Sequence, residues 1–139
     1  MAYWITINYD RNEYVIDLDR LSAFACAPNG KITFWLPNSA HPIILNQQSD
    51  PEGYQQVLDY VQKVSAHSLI GSWVQVNYDR KDYLIDLNRI SSFCHSPSGK
   101  LTFWLPDCAI PIIINEQKDP DTYQKILEFI KRKTGYLLS

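Results

Sequence analysis

The side chains best suited to chemistry form an acid and a cation three residues apart, and they occur twice: Asp17 with Arg20, and Asp86 with Arg89. Such a pair could act as an acid and a charge clamp. Near the end of a strand, however, the same spacing ordinarily gives a local ion pair or protects the strand edge, and we read it so. The three cysteines, Cys26, Cys94 and Cys108, are odd in number and have neither CxxC nor CxxH spacing, so they suggest neither a disulfide frame nor a zinc site. His41, His67 and His95 carry no ligand spacing either. Cys26 and His95 do occupy equivalent places in an internal repeat set out below, and could approach each other there. The strings NGK and SGK, ending at Lys31 and Lys100, lack the further glycines, the Lys-Ser/Thr end and the following helix of a phosphate loop. Nucleophile elbows, HExxH and dinucleotide-binding glycines are also absent. The expectation is a protein that is not an enzyme and uses no cofactor or metal.

The chain has 139 residues, 45% hydrophobic, 20% charged and 13% aromatic, the balance of a folded domain and not of a disordered segment. A net charge of −2 and a pI of about 5.8 give no overall attraction for nucleic acid or anionic lipid. Charge is divided unevenly: residues 1–69 hold 4 basic and 7 acidic side chains, residues 70–139 hold 9 and 8. No run reaches the roughly 18 to 20 apolar residues of a membrane span, and the start MAYWITINYD lacks a secretion pattern. We therefore expect a cytoplasmic protein with no membrane partner.

The positioning elements are written twice. GKITFWLP at Gly30–Pro37 returns as GKLTFWLP at Gly99–Pro106, and an offset of 69 residues aligns Trp4–Ser65 with Trp73–Thr134 without a gap, 31 of 62 pairs being identical. This is the signature of a tandem duplication. It divides the chain into repeat 1 (1–65), a linker (66–72) and repeat 2 (73–139). Each repeat reads as four strands and a helix, a ββββα unit. The first strand alternates Ile5, Ile7, Tyr9 against Trp4, Thr6, Asn8. In the second, Tyr14, Ile16 and Leu18 are followed by Leu21, a spacing of three that predicts a bulge and strong curvature. Gly30 and Gly99 predict tight hairpins. Asp50-Pro51 and Asp119-Pro120 predict helix starts, with apolar stripes at Tyr54, Val57, Leu58, Val61 and at Tyr123, Ile126, Leu127, Ile130. The expected fold is α+β: two curved antiparallel sheets, each covered by one helix, associated as a pseudo-two-fold pair.

A sheet with one helix can hide only one face. With Phe34 and Phe103 directed at the helices, alternation puts Lys31, Thr33, Trp35 and Lys100, Thr102, Trp104 on the other face, with Trp4 and Trp73 as expected company. A face holding two tryptophans is too apolar to stay bare without reason. The candidate partner-binding residues are therefore Trp4, Trp35, Trp73, Trp104, Lys31 and Lys100. They predict a protein-interaction or regulatory module that binds a protein partner or self-associates, unless the two repeats cover these faces mutually. The tandem ββββα order resembles that of PUR-repeat proteins and, more loosely, of the Whirly single-strand binders. That resemblance implies an alternative, single-stranded nucleic-acid binding, with bases stacked on the tryptophans and Lys31 and Lys100 in the basic strand positions. The acidic pI disfavours it, and neither the arginine-rich strand of the first family nor the lysine-glycine-lysine strand of the second is present.

Overall fold

The computed structural model describes residues 2–37, 39, 41–66, 72–108 and 110–138. Strand β1 (Trp4–Tyr9) turns through Asp10 and Arg11 into β2 (Asn12–Asp17). A 3-10 turn (Leu18–Arg20) leads to β3 (Ala23–Cys26), β4 (Ile32–Trp35), β5 (Pro42–Leu45) and helix α1 (Pro51–Ala66). The second half runs through β6 (Trp73–Tyr78), β7 (Lys81–Asp86), a 3-10 turn (Leu87–Arg89), β8 (Phe93–Ser96), β9 (Lys100–Trp104), β10 (Pro111–Asn115) and α2 (Pro120–Thr134). The fold is α+β with antiparallel sheets. No helix among the described residues is long and apolar enough to cross a membrane. Most of the expected linker, residues 67–71, lies outside the described residues, as does His67.

Each half has five strands where the sequence predicts four, because the expected long curved strand is broken. Asp17 accepts the Asp19 N–H at 3.1 Å, and the Leu21 N–H returns to the Leu18 carbonyl at 3.2 Å. Asp86 with Asn88 and Leu87 with Ile90 repeat this in the second half. The turn resolves the phase break, since both Leu18 and Leu21 are completely buried.

Instead of two sheets the described residues form three: β1-β2, β10-β9-β8, and a five-stranded sheet β5-β4-β3-β7-β6. The last joins the halves, with Phe24 opposite Leu84 and Ala25 opposite Tyr83. Its reach follows from the 3-10 turns, which swing each hairpin away from the three strands that follow it. Strand alternation then makes the halves exchange core residues. Leu84 of the second half is buried with Ile7, Phe24, Phe34 and Val57 of the first. Ala23 and Ala25 of the first half are buried with Ile85, Phe103 and Ile126 of the second. The exchange is one-sided, for among the described residues β2 pairs only with β1 and β8 only with β9. That departs from the expected pseudo-two-fold pair.

Candidate interaction surface

The acid–cation pairs are structural fasteners. Arg20 Nε lies 3.6 Å from Asp17 and Arg89 Nε 3.5 Å from Asp86. Asp17 also accepts the Tyr3 N–H at 2.9 Å, and Arg89 Nη2 donates to the Asp19 carbonyl at 2.5 Å, so the second pair ties one half to the other. Ser22 adds two more ties: its hydroxyl donates to Asp107 at 2.9 Å and its carbonyl accepts the Asp86 N–H at 2.9 Å.

The cysteines are unpaired with one another. Cys26 lies opposite Asp82 in the five-stranded sheet, where burial first and Asp82 second push its thiol pKa up. Burial also raises Cys108, against a smaller lowering by a backbone hydrogen bond from Ile110. Thiols held protonated are poor nucleophiles and poor ligands. Cys26 and His95 lie in different sheets, on β3 and β8. His95 Nε2 instead sits 2.6 Å from the Tyr123 hydroxyl, and His41 stacks on Tyr14 with ring centroids 6.4 Å apart. Among the described residues no group of three His, Cys, Asp or Glu side chains could hold a metal.

The four tryptophans separate into two kinds. Trp35 and Trp73 both belong to the five-stranded sheet and lie on its opposite faces, as the register through Phe34, Phe24, Leu84 and Gln75 requires. Each is half-buried against the other half's core, Trp73 with its ring centroid 6.1 Å from that of Phe24. Trp4 and Trp104 sit on the two smaller sheets and remain 62% and 42% exposed. The expected grouping of Trp4 with Trp35 is thus not formed, because the 3-10 turn places them in different sheets. Lys31 and Lys100 are exposed next to Gly30 and Gly99, one just before β4 and the other opening β9, again in separate sheets.

Among the described residues, each exposed tryptophan has an exposed apolar neighbour on its own side of the sheet. On the first hairpin, Val15 is 64% exposed and lies on the same side as Trp4, since it pairs with Thr6. Trp4, Thr6, Val15 and Gln56 line a shallow hollow, and the buried Oε1 of Gln56 has no hydrogen-bond partner among the described residues. On the three-stranded sheet, Cys94 and Ile113 both pair with Thr102 and so share the Trp104 side. Sequence reasoning did not select Val15, Cys94 or Ile113. The available signal was Val15, an apolar residue between Glu13 and Asp17 in the outward phase of the NEYVID strand. Compared with known proteins, the chain matches no family model, no curated protein and no solved structure.

Proposed function

We propose that this is a non-enzymatic, cytoplasmic protein-interaction or regulatory module, made of two tandem copies of one unit, that binds a protein partner through Trp4 with Val15 and Trp104 with Ile113. The observation that carries this reading is the coincidence, on each smaller sheet, of an exposed tryptophan with a second exposed aliphatic side chain on the same side. Large rigid aromatics flanked by aliphatic surface are the usual anchors of protein interfaces. A single-strand binder needs cations to neutralise phosphates, and Lys31 and Lys100 stand apart on an acidic chain.

The test is comparative. A labelled single-stranded oligonucleotide is titrated at low salt, and the immobilised protein is exposed to cell extract as wild type, as Trp4→Ala and as Trp104→Ala. The expected result is no oligonucleotide binding, with a protein retained by the wild type and lost from at least one folded variant. Tight oligonucleotide binding that both variants weaken would replace this reading with the nucleic-acid one.

A further inference from the structure

We propose that the partner is a second copy of this chain, with β8 of each molecule pairing antiparallel with β2 of the other. This rests on the interaction-module reading and names its occupant. The argument starts from the junction already present, where β3 pairs with β7. The 69-residue offset converts β3 into β8 and β7 into β2. The same junction therefore exists in the chain a second time as two matching strands, each with an edge to which no other strand pairs among the described residues. Carried over pair by pair, Phe24 opposite Leu84 becomes Phe93 opposite Val15, and Ala25 opposite Tyr83 becomes Cys94 opposite Tyr14.

Burial shows what the pairing would accomplish. Leu84 is 3% exposed, whereas its counterpart Val15 is 64% exposed. Ala25 is buried and its counterpart Cys94 exposed. Trp73 packs on Phe24 and Trp35 on the other half's core, while their counterparts Trp4 and Trp104 are the more exposed member of each pair, at 62% and 42%. Leu84, Ala25 and Trp73, hidden at the first junction, thus have counterparts in Val15, Cys94 and Trp4 that are exposed and would be covered at the second. Docking would lay Trp4 of one molecule on Phe93 of the other, and Trp104 against the first-half core of the other. Backbone pairing supplies affinity along the edge, and these side chains fix the register. Because each molecule offers one β2 and one β8, two copies satisfy both edges in a closed dimer.

The closing experiment measures mass and Cys94 access together. Light scattering across a concentration series is expected to show a species of twice the 16.1 kDa chain mass, with Cys94 alkylated about tenfold or more slowly than in the dilute monomer. Val15→Lys alters a side chain that is exposed in the single chain, so circular dichroism should show it folded, yet it should be monomeric with Cys94 fully reactive. To distinguish chains, protein bearing Tyr14→Cys and Cys94→Ser is mixed with wild type and oxidised, and a disulfide-linked pair is expected only in the mixture. A dimer unaffected by Val15→Lys would overturn this junction. So would a Tyr14→Cys chain that retains Cys94 and forms its disulfide internally. A monomer that still retains an extract protein in a Trp4-dependent way would overturn self-pairing and leave the interaction-module reading standing, and a monomer that retains none would overturn both.

Discussion

Arg11 and Arg80 hold φ at 65° and 63°, and Asp10 and Asp79 at 51° and 52°, as the two-residue hairpin turns demand. Left-handed backbone costs an L residue about 1–2 kcal/mol, and Asp-Gly is the favoured dipeptide for this turn. Arg11→Gly should accordingly stabilise the protein by about 0.5–1 kcal/mol after the entropy that glycine adds to the unfolded chain. The check is a higher urea midpoint at unchanged slope. Tyr60 makes the opposite kind of contribution. Its hydroxyl donates to Asp19 at 2.7 Å, and burial first, with that hydrogen bond and the Asp19 charge next, drives its pKa well above the ordinary 10.0. A raised phenol stabilises fully below pH 10, and its contribution is lost as pH rises toward the folded value. Stability should therefore fall in alkali. Tyr60→Phe should lower stability by about 1 kcal/mol at neutral pH and show a shallower decline above pH 10, read from denaturation midpoints across pH. Tyr83 and Tyr123, also raised chiefly by burial, account for the alkaline slope that persists.

At the scale of elements, Asp50 does two jobs with one carboxylate. Oδ1 caps α1 through the Gly53 N–H at 3.2 Å, and Oδ2 accepts the Asn8 N–H at 2.8 Å, fastening the first hairpin to the helix. Residue 53 must be glycine for this, since a Cβ there would collide with the Asp50 carboxylate. In the second half Asp119 caps Thr122 at 3.3 Å, and a side chain at the third helical position is tolerated. Asp50→Ala should cost about 1–2 kcal/mol and speed amide exchange throughout β1 and β2. Asp119→Ala should cost about 1 kcal/mol without touching β6 and β7, a contrast that exchange mass spectrometry reads directly. These caps were legible in the sequence because a cap is local chemistry, as were the Gly30 and Gly99 hairpins and the inward Phe34 and Phe103. The break at Leu21 was legible only as a phase error, which a bulge and a 3-10 turn explain equally well. The β3–β7 pairing left no local trace. Nor did the difference between Trp73 and Trp4, which sit in nearly the same sequence and differ only in what lies beside them.

For the molecule as a whole, the exchange of Leu84 for Ala23 and Ala25 means that neither half owns a complete core. Denaturant unfolding should then be a single transition, with tryptophan fluorescence and far-UV circular dichroism coincident. Phe24, completely buried between Phe34, Tyr60 and Trp73, is the side chain on which both halves depend. Phe24→Ala should cost about 3–5 kcal/mol and shift the Trp73 emission to longer wavelength without splitting the transition in two. The same junction also governs how fast the chain can reach its native state. Among the described residues every other strand pair joins neighbours in sequence, closed by short turns within microseconds, whereas β3 must wait for β7 from across the chain and bear a far larger loop-closure entropy. Formation of the five-stranded sheet is thus the slow step, and until it occurs β3 and β7 stand as open edges beside β2 and β8. In that interval four complementary edges from every chain compete, so refolding yield should decline as protein concentration rises even where the native protein is indifferent to it.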